Sequence, residues 1–223
     1  MKNSRPRPSY FLHVLDLRPE LNEVFSSLDK DCVQRRIRRA ERAGLTEKLG
    51  RSEELLREFY GLFVATRGRQ GVPPTPYTWF KNLVHCLGGA AEIRVAQYGG
   101  VPIAAILTLR FRNVLYYKYS CSDVRFKNLG ATPWLLWNAI VAAKATGATA
   151  LDMGRTQEDH RGLLEFKDHW VSQSRRLVYS YFPNASGPES VEGWRLKIAK
   201  RALSHMPNKL LALTGKMLYR HVG

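Results

Sequence analysis

The sequence is poor in the features that mark several common classes of protein. It has 3 cysteines among 223 residues; they are scattered and odd in number, which argues against a disulfide framework and for a reducing compartment. No apolar run reaches the ~18 residues that a membrane-spanning helix needs. The basic N-terminal residues precede only a short apolar stretch without a small-residue cleavage site, so we expect no signal peptide.

Standard catalytic and cofactor-binding motifs are missing as well. The sequence contains no G-x-S-x-G, no P-loop and no G-x-G-x-x-G. Asp152, Asp159, His160 and His169 lie near one another in the chain, but their spacings match no standard set of metal ligands. We therefore predict no metal site and no covalently bound cofactor.

Acidic residues are scarce compared with basic ones. The chain has 35 Lys and Arg against 19 Asp and Glu, a formal net charge of +16. Such an excess predicts attraction to polyanions, namely nucleic acid, anionic lipid or phosphorylated substrates, and charge alone does not distinguish among them. The alternative is an ordinary protein from a basic proteome.

The hydrophobic patterns predict an α+β fold with a mixed, mostly antiparallel sheet flanked by helices. Residues 10–17 are typical of a strand, and Ser52 is a good N-cap for an amphipathic helix. Gly99-Gly100 is a strong hairpin turn between two of three consecutive strands. The further predicted helices are 19–28, 32–44, 77–89, 130–147, 161–169 and a basic region after 189, and the further strands are 91–98, 101–111, 113–122, 148–154 and 171–182.

The second predicted helix carries a row of arginines. Arg35, Arg38, Arg39 and Arg42 are spaced i, i+3, i+4, i+7 and therefore share one helical face. Most of them have no carboxylate four residues away. The row predicts either a solvated face or a surface that binds a polyanion.

A second basic group lies in the turn before the predicted helix 130–147. Arg125, Lys127 and the backbone amides at Gly130 and Ala131 combine cationic side chains with the positive end of a helix dipole, the geometry that binds phosphate. The alternative is an ordinary helix start, with Thr132 as its N-cap.

The stretch from Leu151 to Trp170, LDMGRTQEDHRGLLEFKDHW, joins a strand end to a short helix through polar residues. Lys167 follows Phe166 and precedes Trp170 by three residues. An ammonium group among apolar neighbours can stabilise a developing oxyanion. The alternative is a structural ion pair of Asp152 with Arg155 or Lys167.

In this order, the motifs resemble the FemAB-like and BioF-like branch of the GNAT acyltransferase superfamily, in particular its exosortase-associated FemAB type. The resemblance rests on ordered blocks that cover most of residues 10–223. These blocks are VQRRIRRAERAGL, EFYGLFVATRGRQGVPPTPYTWFKNL, AEIRVAQYGGVPIAAILTLRFRNVLYYKYSCSD, LDMGRTQEDHRGLLEFKDHWV and the final GWRLKIAKRALSHMPNKLLALTGKMLYRHVG.

The resemblance implies a GNAT fold and transfer of an acyl or aminoacyl group from acyl-CoA or aminoacyl-tRNA to an amine, such as that of a cell-wall or envelope precursor. It implies that Lys167 stabilises the transition state, with Phe166 beside it. Asp152 and Arg155 match an Asp-x-Gly-Arg block expected to organise the acceptor, and Asp152 or Asp123 would accept a proton. Tyr119 and Trp170 complete the predicted substrate-binding residues.

The chain departs from the family pattern at several points. Thr156 stands where the family usually has Ser, Val171 where Gly commonly follows Trp, and the loop from Lys127 to Thr132 is a degenerate form of the CoA-binding signature. The chain also resembles only the C-terminal domain of relatives with two GNAT-like domains. We therefore keep an alternative from another class: a non-catalytic half-length module that binds RNA, a membrane surface or a partner domain.

The sequence predicts a GNAT-like domain over residues 1–185 and a basic helical extension over 186–223. After Glu192 the extension has no acidic residue, and a basic amphipathic helix of this kind either packs on the domain or lies on an anionic membrane surface. We expect a cytoplasmic protein, peripheral at the inner face of the membrane, that works with a polyanionic donor and with a partner GNAT-like domain or a second copy of itself.

Overall fold

Seven strands form one mixed sheet in a computed structural model that describes residues 9–171, 173–179 and 200–219. The strand order is β2-β3-β4-β5-β6-β1-β7, and every neighbouring pair is antiparallel except β5 with β6. The strands are β1 Tyr10–Asp16, β2 Thr46–Gly50, β3 Ala91–Tyr98, β4 Val101–Phe111, β5 Val114–Ser122, β6 Ala150–Gln157 and β7 Ser174–Leu177. This architecture confirms the predicted fold class.

The helices lie on both faces of the sheet. They are α1 Leu21–Ser27, α2 Arg35–Arg42, α3 Glu53–Arg69, α4 Tyr77–Leu87, α5 Ala131–Ala145, α6 Arg161–Asp168 and α7 Asn208–Leu218. A π-helical turn over Lys30–Gln34 leads into α2, and 3₁₀ turns over Gly88–Ala90 and Val124–Leu129 precede β3 and α5.

Two hydrophobic cores result from the period of two along the strands. Ile106 in β4 packs into a core with α1, α2 and α5, whereas its neighbour Leu107 packs into the core beneath α3 and α4. Phe59, Phe63 and Phe80 dominate the second core, with ring centroids 4.9–5.8 Å apart. The first core also receives Trp170, which follows α6 and is 1% exposed.

Several helix starts follow the sequence rules. Ser52 caps α3 by accepting a hydrogen bond of 3.2 Å from the Leu55 amide. Asp29 caps the π-helical turn through bonds from the amides of Asp31 and Cys32. The predicted N-cap of α5 is wrong: Gly130, in the left-handed conformation, takes that position, and Thr132 lies inside the first turn.

The sequence prediction differs from the structure in three strands. It missed β2, because this edge strand is mostly exposed and lacks apolar alternation. It ended β6 at Gly154, but backbone pairing with β1 extends that strand to Gln157. It placed the last strand over 171–182, whereas the described strand β7 covers four residues paired with β1.

The described part of the basic extension packs on α3. Residues 200–204 are helical, and Leu211 of α7 is fully buried against Gly68. Residues 186–199 of the predicted extension and the boundary at 185/186 lie outside the described residues, so that division stays a prediction. Among the described residues, none of the helices is both long enough and apolar enough to cross a lipid bilayer.

Candidate active site

The two parallel strands at the middle of the sheet share only a short ladder. Val114–Tyr116 of β5 pair with Ala150–Asp152 of β6. Beyond these three pairs, β5 continues to Ser122 and β6 to Gln157, and the two strands no longer pair. Backbone groups along such an opening need water or a ligand as hydrogen-bond partners. The opening between β5 and β6 is therefore a natural place for a ligand.

A β-bulge shapes the β5 side of this opening. Thr108 pairs with Tyr117 and Leu107 pairs with Tyr119, so Lys118 is one extra residue in β5. The extra residue turns Tyr117 toward the core of α2 and α5, and Tyr119 toward the aromatic core of α3 and α4. Bulges of this kind often re-aim side chains next to functional sites.

A second bulge shapes β6. Leu12 pairs with Arg155 and Val14 pairs with Asp152, so two residues of β6 stand opposite His13. One of them, Gly154, has φ +70°, a left-handed conformation that glycine adopts without steric cost. The Asp152 Oδ1 atom accepts a hydrogen bond of 2.6 Å from the Gly154 amide, which holds the bulge in place.

Lys167 reaches this bulge from α6. Its Nζ atom donates a hydrogen bond of 3.1 Å to the Gly154 carbonyl oxygen, and the residue is 5% exposed. Burial lowers the pKa of Lys167 to about 8, and the negative charge of Asp152 opposes this shift. Among the described residues, no carboxylate oxygen lies within 4.0 Å of this ammonium. Lys167 is thus a buried cation near Asp152 without a direct ion pair.

The three residues that follow Lys167 fix its position. The fully buried His13 makes a hydrogen bond of 2.9 Å through Nε2 to Asp168 Oδ1. The Asp29 amide donates a bond of 3.0 Å to the His169 carbonyl, and Trp170 is buried in the core. Because α6 is held from β1, from the π-helical turn and from the core, the Lys167 side chain has a supported position.

Polar atoms without partners lie buried around the same group of elements. Phe166 contacts the ring of Tyr117 at 6.2 Å between centroids and that of Trp170 at 6.5 Å. Within the described ranges, Trp170 Nε1 and Thr156 Oγ1 are buried and have no hydrogen-bond partner. Burial also raises the pKa of Tyr117. Such orphan groups commonly mark a site that holds water or a ligand.

Arg155 is placed at the exposed surface of β6 rather than beside Lys167. Its guanidinium lies 4.9 Å from the Tyr10 ring centroid and 5.4 Å from that of Tyr179, and it donates a hydrogen bond to the Tyr179 hydroxyl. Its predicted role toward the acceptor stays a prediction.

Asp123 and Tyr119 lie toward the far end of β5. Asp123 accepts hydrogen bonds from the backbone and the guanidinium of Arg125, with Nη2–Oδ2 at 2.6 Å, and these bonds lower the pKa of Asp123. Asp123 is seven residues beyond Tyr116, or about 23 Å along a strand, so the structure does not place it with Asp152. Tyr119 packs edge-on against Phe80 at 5.1 Å.

The two predicted anion-binding groups are brought together. Arg39 of α2 donates a hydrogen bond of 3.1 Å to the Asn128 carbonyl in the turn before α5. Gly130 packs so closely on the Arg36 carbonyl that a Cβ atom there would clash with it. Helix α2 therefore lies across the N-terminus of α5, beside Ala131 and the exposed Lys127.

The arginine face of α2 remains strongly positive. A shallow cleft of about 530 Å³ is lined by Glu41 and by four arginines, namely Arg35, Arg38, Arg39 and Arg42. Arg35 pairs with Asp31 at 2.7 Å, and Arg38 lies over the Phe25 ring at 5.6 Å. Ile37 and Ala40 are buried on the opposite face of α2.

Two other places carry potential ligands. Asp29, Cys32 and His169 bring one potential metal-ligand atom each within 4.8 Å of one another. They are half-buried, and both burial and Asp29 raise the pKa of the Cys32 thiol. The predicted absence of a metal site stays a prediction. A larger cleft of about 850 Å³ lies between α1, β1 and β7, and no residue of the predicted site lines it.

The structure thus places Asp152, Phe166, Lys167 and Trp170 around one region and the basic residues around another. Sequence reasoning missed His13, Tyr117 and Gly154. The bulge glycine had a visible signal, since it follows Asp152 by two residues in a strand pattern. His13 and Tyr117 had none, because both belong to strands distant in sequence from α6.

Comparison with solved structures shows similarity of fold. FemX aligns with a TM-score of 0.67 and 16% identity over 74% of this chain and 59% of that chain. L-PGS from Bacillus licheniformis aligns with a TM-score of 0.53 and 17% identity over 89% of this chain and 68% of that one. A C-terminal domain assigned to a lysylphosphatidylglycerol synthetase from Agrobacterium fabrum aligns with a TM-score of 0.54 and 10% identity. The alignment covers 74% of this chain and 58% of that chain.

The chain spans about three fifths of the length of FemX. No curated protein matches the sequence. The sequence model of the acetyltransferase (GNAT) domain matches residues 31–167, which include the opening between β5 and β6, the turn before α5 and Lys167. The chain therefore belongs to the GNAT acetyltransferase family.

Proposed function

We propose that this chain transfers an acyl or aminoacyl group from acyl-CoA or aminoacyl-tRNA to an amine acceptor. The observation that carries the proposal is the buried Lys167 ammonium, held at the β6 bulge next to the place where β5 and β6 part. Family membership supports acyl transfer as the class of reaction. The resemblance of the sequence to FemAB-like proteins, together with a fold similar to that of FemX, supports the aminoacyl donor as one of the two candidates.

In the proposed reaction, the acceptor amine attacks the carbonyl carbon of the donor. The C–N bond forms, the carbonyl oxygen becomes an oxyanion, and the amine gives up a proton. Collapse of this intermediate breaks the C–S bond to CoA or the C–O bond to tRNA, and the leaving sulfur or oxygen takes up a proton to give the free thiol or hydroxyl. Lys167 would stabilise the oxyanion as an ammonium, a role that a low-dielectric surrounding strengthens.

Asp152 is our candidate to accept the proton of the amine, directly or through water. It lies near Lys167, and its Oδ1 atom already holds the Gly154 amide, which leaves Oδ2 for a substrate. Asp123 is the weaker candidate because Arg125 stabilises its ionised form. Phe166 and Trp170 would form the apolar wall behind the reacting carbonyl.

The basic surface of α2 and the α5 N-terminus would bind the phosphates of either donor. This phosphate-binding role is supported by the hydrogen bond from Arg39 to the Asn128 carbonyl. The bond joins the arginine face of α2 to the turn that holds Arg125 and Lys127. Free amides at a helix N-terminus and exposed cations both favour phosphate. CoA and tRNA share this phosphate chemistry.

The test is transfer to a panel of amines, with release of free CoA thiol measured in one arm and loss of label from aminoacyl-tRNA in the other. Lys167→Ala should lower turnover at least 100-fold, the size expected from loss of one oxyanion donor. Lys81→Ala, on the exposed surface of α4, is the matched control. Undiminished turnover in Lys167→Ala would refute the assignment.

The second candidate is a non-catalytic module that binds RNA, and the observation in its favour is the cleft lined by four arginines on α2, which would attract a polyanion without any catalytic group. No transfer in either arm, together with binding of tRNA that Lys167→Ala leaves unchanged, would support this alternative.

A further inference from the structure

Helix α7 has apolar side chains on two opposite faces. Leu211 and Gly215, four residues apart, are buried. Leu211 packs at Gly68 of α3, and Gly215 packs against the Pro74 carbonyl so closely that a Cβ atom would clash with it. The Thr75 hydroxyl also bonds to the Tyr219 hydroxyl at 3.3 Å. One face of α7 is thus fixed to the domain.

The opposite face consists of large aliphatic side chains that contact little. Leu210, Leu213 and Met217, at i, i+3 and i+7, are 53%, 56% and 71% exposed. At 100° per residue they lie nearly opposite Leu211 and Gly215. Because the buried face already anchors the helix, this apolar face has no role in holding α7 on α3.

The charges around this face are all positive. Lys209 and Lys216 lie along one side of it, and α7 has no acidic residue. The helical residues 200–204 add Lys200 and Arg201. In the sequence, seven Lys and Arg follow Glu192 and no Asp or Glu does. An aliphatic row with flanking lysines is typical of helices that lie in the interface of an anionic bilayer.

We propose that α7 docks this protein on an anionic lipid surface, with Leu210, Leu213 and Met217 in the bilayer interface. A lipid surface fits better than a protein partner, because the face offers aliphatic groups and ammonium groups but no hydrogen-bonding or aromatic side chain among the three exposed residues. This refines the sequence-based expectation of a basic extension that packs on the domain or lies on a membrane, because Leu211 is buried and belongs to the inner face of α7.

The position of α7 relates docking to the candidate active site, and this one point rests on the proposed function. Helix α3, which carries α7, also holds the end of β5: Arg69 donates a hydrogen bond of 2.6 Å to the Ser122 carbonyl. A docked α7 would therefore lie near the Ser122 end of β5, which borders the opening between β5 and β6. An acceptor at the lipid surface would be within reach of that end.

The experiment is co-sedimentation of the full chain with vesicles of phosphatidylcholine alone or with 30% phosphatidylglycerol, at low and physiological salt. We expect binding to the anionic vesicles that weakens with salt and is at least tenfold lower for the double variant Leu213→Glu and Met217→Glu. The control is Leu49→Glu with Val101→Glu, which changes the net charge equally at exposed apolar sites on β2 and β4. Circular dichroism checks that both variants fold.

Equal binding to neutral vesicles, or anionic binding that the α7 variant leaves intact, would overturn the proposal. So would a dimer in light scattering that becomes monomeric in the α7 variant, because a second copy would then occupy the face. Transfer to a water-soluble amine should be unaffected by the α7 substitutions. Failure of docking and failure of the proposed transfer are therefore separate outcomes.

Discussion

The Lys167 ammonium bonds to the carbonyl oxygen of Gly154, the one residue of β6 that a bulge holds at positive φ. This bond joins a helix to a deformed strand and places a buried cation where two parallel strands separate. Positively charged groups in such surroundings cost stability, and their persistence is commonly explained by function.

The first prediction concerns stability. Lys167 has a pKa of about 8 in the folded protein, against about 10.4 in an unfolded chain. Between these pH values the unfolded chain holds the proton and the folded chain has lost it, so stability rises with pH from about 8 to 10.4. Below pH 8 the full cost of burying the charge remains.

Lys167→Met should therefore raise the free energy of unfolding at pH 7, by up to about 3 kcal/mol, and flatten its rise above pH 8. Urea denaturation at pH 7 and pH 9.5 measures both effects. Lys81→Met, at an exposed site, should change neither by more than about 0.5 kcal/mol. Parallel curves for the wild type and Lys167→Met would contradict the prediction.

The second prediction concerns the pH dependence of transfer. If Lys167 acts as an ammonium, its contribution to kcat is present below pH 8 and is lost as the pH rises through about 8. In Lys167→Arg the guanidinium keeps its charge, since its pKa exceeds ~12. We expect lower activity in this variant but no fall near pH 8. An unchanged alkaline fall in Lys167→Arg would assign that titration to another group.

The third prediction tests the β6 bulge. Gly154→Ala places an L-residue at φ +70° but meets no atom within 4 Å, so the cost should be backbone strain of about 1 kcal/mol. Gly99→Ala, at φ +57° in a hairpin turn and equally open, is the matched control. Both should lose similar stability in thermal unfolding, but only Gly154→Ala should lose activity. Equal activity of the two variants would show that the backbone conformation of Gly154 is not needed for catalysis.

The fourth prediction tests the contact between α2 and α5. Gly130→Ala combines positive φ with a clash against the Arg36 carbonyl, whereas Gly44→Ala has a similar φ of +69° and nothing within 4 Å. We expect a loss of about 1 kcal/mol for Gly44→Ala and at least twice that for Gly130→Ala, because the backbone must shift. Similar losses in urea denaturation would mean that α2 moves away from α5 easily.

The fifth prediction concerns polyanion binding. Replacing Arg38, Arg39 and Arg42 with Gln should weaken binding of tRNA and lower the slope of log affinity against log salt by roughly 0.7–0.9 for each lost phosphate contact. The control variant replaces Arg51, Arg57 and Arg112 with Gln. It loses the same number of charges at arginines outside α2. Fluorescence anisotropy from 50 to 300 mM salt measures the slopes. An equal decrease in both triple variants would indicate net charge rather than a defined surface.

Most elements could be predicted because their signals are local. Ser52 before an amphipathic run and Gly99-Gly100 between apolar strands specify structure within a few residues. The extension of β6 to Gln157 could not be predicted, because it depends on pairing with β1, as in Phe11 with Thr156. Backbone pairing at that separation leaves no periodic pattern in a polar segment.

The residues of the candidate site also fall into those that local sequence indicates and those that only tertiary packing brings in. Asp152, Phe166 and Lys167 are close in sequence, and a single stretch indicated them together. His13 supports Asp168 from 155 residues away, and Tyr117 meets Phe166 from another strand. Such contacts follow from tertiary packing and from two bulges. Gly154 gives the β6 bulge a local signal, whereas the extra residue of β5 has none.

The short ladder between β5 and β6 also has a mechanical consequence. The sheet consists of a four-stranded part, β2 to β5, and a three-stranded part, β6, β1 and β7, joined by three residue pairs. We expect a seam this short to let the strands on its two sides open separately, although both parts contribute to the core beneath α2 and α5. Hydrogen exchange should resolve them: amides on either side of the seam would exchange with separate opening energies, and a ligand bridging both would slow them together.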